Sequence, residues 1–267
     1  MSLSNETPSS GSLDQVTNAG PMWLPPLIRD QPKSDAAGGQ QQSQPEVILE
    51  AVAVRKSYTI GGESRRVLDD VNFHVHSGES VFLSGPSGSG KSTLLSILGC
   101  LLECDAGQVS IAGRRVNNLP TSEQALVRRD LIGFVFQRFQ LIQALTAEDN
   151  VAVPLTLQGV PLAEARKQAS HLLGRVGLKL HRRHLPGNMS PGQCQRVALA
   201  RAIITKPKLI LADEPTAALD SDSGREVMEL LQELIASSDA ATVVVTHDPR
   251  ILNYADRVCE IENGQFK

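Results

Sequence analysis

No stretch of this 267-residue chain approaches the roughly 18 consecutive apolar residues that a bilayer-crossing helix requires, so no membrane span is expected. A basic excess is missing too: 26 Lys and Arg stand against 29 Asp and Glu, a net charge of -3. Nucleic-acid-binding domains usually gather positive charge on one face, so no nucleic-acid partner is expected. Cys100, Cys104, Cys194 and Cys259 show no C-x-x-C spacing, and neither His nor a further Cys stands beside Cys100 and Cys104. They read as free thiols of a reducing compartment, not as a disulfide framework or a metal site. The first residues include Glu6 and Asp14 and lack the apolar core of about 7–15 residues that marks a secretory signal. A cytoplasmic chain is the expectation. No internal repeat appears, so a single copy of whatever unit the chain carries is expected.

What is present begins with a change of texture near residue 46. Residues 1–45 are rich in Ser, Gly, Gln and Pro, a composition too poor in apolar area to offset the entropy of ordering, and a disordered tail is expected there. Trp23–Ile28 is an apolar island within it. From Val47 the apolar content suffices for a core. Val47–Val54, Val71–His76 and Ser80–Ser84 read as strands, and Lys91–Leu101 as a helix with Leu94, Leu95, Leu98 and Leu101 on its inner side. The stretch 121–205 reads as mostly helical, Leu162–Val176 most clearly. Leu209–Ala212 and Thr242–Thr246 are uninterrupted apolar β runs, as in a parallel sheet covered on both faces, with an amphipathic helix over Ser223–Ile235 between them. His74 and His76 lie on one strand face, and His181 and His184 in a basic loop; neither pair reads as a metal site.

Two motifs carry chemistry. Gly85, Pro86, Ser87, Gly88, Ser89, Gly90, Lys91 and Ser92 spell G-x-x-x-x-G-K-[ST], set between a strand and a helix as a phosphate-binding loop requires. Backbone N–H groups of such a loop, with the positive end of the following helix through Thr93, hold nucleotide phosphates. Lys91 is expected to bridge the β- and γ-phosphates and the Ser92 hydroxyl to ligate Mg²⁺. Asp213, at the carboxyl end of an apolar strand, is expected to hold Mg²⁺ directly or through water, and Glu214 to deprotonate an attacking water. The pair predicts binding and hydrolysis of a nucleoside triphosphate.

With those residues in place, the chain over about 47–267 resembles the nucleotide-binding subunits of ABC transporters. Further motifs of that family stand in its order: Tyr58, Gln137 in Phe134–Gln137, Met189-Ser-Pro-Gly-Gln193 with Gln195 and Arg196, Ala218-Leu-Asp220, and His247. The resemblance implies ATP and Mg²⁺ as ligands. It gives Tyr58 the adenine-stacking role, Gln137 a Mg²⁺ and γ-phosphate contact, and His247 a γ-phosphate contact. It makes Ser190, Gly192 and Gln193 the signature that completes a partner's ATP site, with Asp220 in the D-loop. Read from their neighbours alone, Tyr58 is also a strand-end aromatic, Gln137 a polar turn residue and His247 a strand-end histidine. The implied fold is α/β, a P-loop NTPase with a mostly parallel core sheet, an antiparallel β subdomain and a helical signature subdomain around 138–205.

The signature departs from the family at Pro191, where glycine is usual. Proline lacks an N–H and cannot bind phosphate through it. Ser190 as N-cap, Pro191 as first helical residue and Gln193 as third nevertheless form the Ser-x-x-Gln capping box, and proline is favoured at that first position. A stiffened but competent signature turn is therefore expected, with the Ser190 hydroxyl and Gly192 amide free.

The texture of Ile132–Phe139, Thr146–Val151 and Leu211–Thr216 is most similar to the lipoprotein-releasing and macrolide-export type (LolD/MacB-like). That likeness implies an ATPase subunit, peripheral on the inner face of the cell membrane, powering export or extraction of a lipid, lipoprotein, peptide or drug. Its implied partners are integral-membrane permease subunits and a second ATP-binding subunit, head to tail in a dimer. Phe139, Leu141 and Ile142 read either as a grip for a permease helix or as ordinary core. The alternative from the same branch is an FtsE-like ATPase transmitting force to cell-wall hydrolases without transport.

Overall fold

Two sheets of different character organise the chain, and their difference is written in side-chain periodicity. The computed structural model describes residues 46–236 and 238–267. The tail expected over 1–45, with Trp23–Ile28, lies outside the described residues. β1 (Val47–Ile60) and β2 (Glu63–His76) pair antiparallel, followed by β4 (Ala106–Ile111) and β5 (Arg114–Arg115) in the order β2-β1-β4-β5. In β2, buried Val71, Phe73 and Val75 alternate with exposed Asn72 and His74, the period-2 signature of a sheet with one dry face.

The second sheet holds β3 (Ser80–Ser84), β6 (Ile132–Val135), β7 (Leu209–Asp213), β8 (Ala241–Val245), β9 (Arg257–Glu262) and β10 (Gln265–Phe266). Its order is β10-β9-β3-β8-β7-β6, parallel throughout except for β10. β8 is buried at every residue because helices or the other sheet cover both faces. β7 and β8 are joined by α6 (Ser221–Ala236), which buries Val227, Met228, Leu231, Leu234 and Ile235 at helical spacing. The mostly parallel core sheet, the antiparallel β subdomain and the helices are those that the resemblance implied.

β1 and β2 are longer than the expected Val47–Val54 and Val71–His76, and two further details depart from expectation. α1 (Lys91–Leu98) ends at Leu98, not at Leu101. Gly99 caps it, Cys100 turns left-handed at φ 57°, and the Leu101 N–H bonds back to the Ser96 carbonyl. Leu101, expected on the inner side, is thereby swung out to 50% exposure. Within the stretch read as mostly helical, Ile132–Val135 is a strand. Four residues carry too little periodicity to announce themselves; pairing with β7 makes the strand, and Gly133 leaves room for the Ala202 carbonyl, 2.2 Å from where a Cβ would stand.

The remaining α-helices among the described residues are α2 (Thr121–Leu131), α3 (Ala147–Leu157), α4 (Leu162–Arg175) and α5 (Pro191–Ile203). α3, α4 and α5 close around an apolar cluster that includes Val151, Leu155, Leu172, Leu173 and Val197. Removing one such leucine side chain costs about 2–5 kcal/mol. Fully buried Asn150 ties this unit to the segment before it. Its Oδ1 accepts from the Ile142 N–H at 2.8 Å, and its Nδ2 donates to the carbonyls of Ile142, Leu145 and Thr146.

Candidate nucleotide site

β3 delivers the chain into a glycine loop that could not be built from larger residues. Gly85 has φ 142°, and a Cβ there would stand 2.2 Å from the Ile261 carbonyl oxygen on the neighbouring strand. Gly88 (φ 77°) instead faces open space, so its missing side chain keeps the mouth of the loop clear. The loop opens into a cleft of about 950 Å³. Of the residues expected to contact nucleotide, Tyr58, Gly85, Pro86, Ser87, Gly88, Gly90, Lys91, Ser92, Thr93, Gln137, Asp213, Glu214 and His247 all line it. Ser89, in the same loop, does not; it is buried.

Lys91 is folded back onto its own loop. Its Nζ donates to the carbonyls of Gly85 and Pro86, both at 2.8 Å, and lies 3.5 Å from Ser89 Oγ. Those carbonyls hold the ammonium at the floor of the cleft. Ser92 Oγ donates to Asp213 Oδ1 at 3.1 Å. Asp213 comes from β7, which is not a neighbour of β3; β8 lies between, and the carboxylate reaches across it. Burial pushes the Asp213 carboxyl above its ordinary value, against the lowering effect of the Ser92 bond; the Glu214 charge also raises it and Lys91 lowers it.

Glu214 continues the β7 ladder by bonding its N–H to the Val245 carbonyl, but in the left-handed region at φ 48°. A β-carbon residue held there signals a conformation imposed by its surroundings. Its Oε1 lies 2.6 Å from His247 Nδ1, while Oε2 is 3.4 Å from the His247 backbone nitrogen. The histidine follows β8 and is mostly exposed; the glutamate side chain is only 14% exposed.

On Tyr58, the Lys56 ammonium stands 5.8 Å from the ring centroid and is itself held by Asp105 at 2.7 Å. Arg65 is the direct cross-strand partner of Tyr58 and also lines the cleft. Arg66, Val67, Asn263 and Gly264 complete the wall. Sequence reasoning missed these residues: they come from β2 and the β9–β10 turn, far from any motif, and no local pattern marks them.

Ser190, Gly192, Gln193 and Asp220 do not line this cleft. At the tip of α5 the expected capping box is fully formed: the Gln193 N–H donates to Ser190 Oγ at 3.2 Å and the Ser190 N–H to Gln193 Oε1 at 3.0 Å, with Pro191 first in the helix. The Ser223 N–H and hydroxyl donate to Asp220 Oδ1 and Oδ2, with the Asp222 N–H also on Oδ1, and they hold its carboxyl below the usual value. Toward its other end, α5 reaches the segment after Gln137. Arg201 donates to the carbonyls of Phe139 and Gln140, two consecutive residues with positive φ. The anticipated apolar grip at 139–142 is divided accordingly. Leu141 is core, Phe139 packs against the helical cluster, and Ile142 is exposed.

A phosphate-cradling loop after one parallel strand and paired carboxylates after another define a P-loop ATPase. Comparison with known proteins narrows this. The family described as "ABC transporter" matches residues 68–217. The lipoprotein-releasing system ATP-binding protein LolD of Shewanella sp. (strain MR-4) is 45% identical over 222 residues, 83% of this chain and 96% of that protein. The macrolide export ATP-binding/permease protein MacB of Photorhabdus laumondii is 46% identical over 219 residues, 82% of this chain; the chain spans only 34% of that protein's length. Among solved structures, the ATP-binding cassette MJ0796, in a dimeric post-hydrolysis state bound to ADP and Pi, superposes with a TM-score of 0.77 at 41% identity, covering 82% of this chain and 97% of that one. The chain belongs to the ABC transporter family and is an ATP-hydrolysing cassette of it, with sequence likeness to the LolD and MacB ATPases.

Proposed function

We propose that this chain is the ATPase subunit of a bacterial export or extraction system, acting on a lipid, lipoprotein, peptide or drug through separate permease subunits at the inner face of the cell membrane. The observation that carries the reading is the division of the site. The phosphate loop, Asp213, Glu214 and His247 share one cleft, while the Ser190 helix tip lies outside it. Two copies facing head to tail unite the halves around two nucleotides. The dimeric MJ0796 cassette supports this arrangement.

In that arrangement the loop from Gly85 to Thr93 cradles the phosphates and Lys91 exchanges its carbonyl partners for phosphate oxygens. Tyr58 stacks on adenine with its lysine-backed ring. Ser92, Asp213 and Gln137 are hard oxygen donors lining the one cleft, and a half-buried carboxylate already bonded to the Ser92 hydroxyl suits a cation; they would hold Mg²⁺. When bound, the ion would neutralise charge on the β- and γ-phosphates. Glu214 takes the proton of the attacking water, steadied by His247 Nδ1, whose second ring nitrogen is available to the γ-phosphate. From the partner copy the Ser190 hydroxyl, which uses only a lone pair in its capping box, donates its proton to that phosphate, joined by the Gly192 amide. Asp220 shapes the loop between the two sites.

For the membrane partner, a cleft of about 410 Å³ among α2, β6, α3 and α5 is lined by Leu101, Phe134, Phe136, Pro154 and Leu157, with Arg128 and Arg129. Leu157 is 63% exposed. Such a groove fits a short amphipathic helix of a permease. None of the described helices is long and apolar enough to cross a membrane. The likeness to LolD, which covers 96% of that protein, supports a separate permease. The deciding experiment is co-purification of the chain from solubilised membranes followed by reconstitution. An integral-membrane partner and ATP-dependent release of cargo are expected. Turnover in the complex without any released cargo would overturn the export reading in favour of force transmission.

A further inference from the structure

We infer that His181 is a positioning residue for the signature turn, acting through Gln193; the inference rests on the proposed cross-subunit role of Ser190. Hydrogen-bond polarity at the tip of α5 assigns each atom of this contact its role. The Ser190 N–H can only donate, so the Gln193 atom 3.0 Å from it is the amide oxygen. That fixes the other end of the same amide as NH₂, and Gln193 Nε2 lies 3.2 Å from His181 Nε2. An amide nitrogen can only donate as well. His181 Nε2 must therefore be the acceptor, which places the ring proton on Nδ1. The tautomer and the amide orientation are locked together by one backbone N–H.

The lock has consequences for Ser190. If Nε2 carried a proton, it would face NH₂ donor to donor, and relief would come from rotating the amide by half a turn. The oxygen would then serve His181, and the Ser190 N–H would lose its acceptor. Half of the capping box would open, and the rotamer and backbone angle of Ser190 would no longer be over-determined. His181 is well placed to prevent this. It sits in a turn held by bonds from its own N–H to the Leu178 carbonyl and from the His184 N–H to its carbonyl, and its ring packs edge-on to His184 with centroids 5.1 Å apart. Its Nδ1 is buried and has no hydrogen-bond partner among the described residues, so the ring's one directional bond is the one to Gln193. Pro191 sharpens the dependence. With no N–H at the first helical position, the turn presents to phosphate only the Ser190 hydroxyl and the Gly192 amide, so misplacing Ser190 has no substitute donor nearby.

The test uses the full chain with steady-state ATP turnover and separately measured nucleotide affinity. His181→Phe keeps a ring but removes the acceptor. It should lower kcat by about 3–10-fold, the range expected for one hydrogen bond, while nucleotide affinity of the isolated subunit stays within about twofold, because Tyr58 and the phosphate loop are untouched. His181→Gln restores a side-chain oxygen acceptor and should return most of the turnover; His181→Asn, too short to reach, should not, and serves if the Phe variant does not fold. In a Gln193→Ala background His181→Phe should have no further effect. Unchanged turnover in His181→Phe or His181→Asn, beside a Ser190→Ala variant that is impaired, overturns the inference alone. Unchanged turnover in Ser190→Ala overturns the cross-subunit reading and this inference with it.

Discussion

The hydroxyl of Ser92 meets the carboxylate of Asp213 at 3.1 Å although 121 residues separate them in the chain. The contact joins the first turn of α1 to the end of β7 and brings a half-buried carboxylate to the nucleotide cleft. Since burial raises the Asp213 pKa, the folded state holds its proton more tightly than the unfolded chain does. Its contribution to stability is thus greatest below the ordinary carboxylate value and is lost as pH rises through the raised one. Asp213→Asn, which carries no charge to desolvate, should raise the melting temperature of the nucleotide-free protein at neutral pH and narrow the loss of stability above the carboxylate range. Turnover should fall at least about 100-fold in the same variant. Thermal unfolding across pH, paired with phosphate release, checks both halves; a lowered neutral-pH melting temperature would contradict the electrostatic account.

Glu214→Gln keeps the size of the side chain and can still bond to His247, but cannot take a proton from water. Turnover should drop by roughly 10²–10⁴ with nucleotide binding intact. The variant should also accumulate as a nucleotide-bound dimer, visible by light scattering in the presence of the membrane partner. Parental turnover would exclude Glu214 as the base.

Pro191→Gly restores the residue usual in the family at a position where proline already has the φ the helix needs. Turnover should change by less than about tenfold, and stability should fall by about 0.4–1 kcal/mol as the unfolded chain regains freedom. Denaturant titration and a turnover assay suffice. A hundredfold gain in turnover would show that the missing N–H had been limiting.

Asn150→Ala removes the four hydrogen bonds that fasten the 142–146 segment to α3 and strips the Ile142 N–H and the Leu145 carbonyl of their side-chain partner. A loss of about 2–4 kcal/mol is expected, larger than for the usual surface substitution. Urea unfolding measures it, and limited proteolysis should place the first new cut near that segment.

Much of the architecture could be read in advance because it is encoded locally. Ser80–Ser84, Leu209–Ala212 and Thr242–Thr246 are apolar on consecutive residues, which only strands covered on both faces require. The Ser190–Gln193 box depends on residues three apart and formed as its spacing implies. Where encoding is non-local, reading ahead failed. Ile132–Val135 is a strand because β7 lies beside it, and Leu101 is exposed because a left-handed Cys100 turned the chain out.

The sequence by itself determined the glycine loop, the carboxylate pair, the helix cap and the order of motifs, since each depends on backbone freedom or side-chain chemistry within a few residues. Only the tertiary structure decided that Asp213 reaches Ser92 across an intervening strand, that Arg65 stands opposite Tyr58, and that Ser190 sits apart from the cleft. Those relations depend on strand order and register, which are fixed by burying apolar faces against one another over the whole chain and so leave no trace in any short stretch of it.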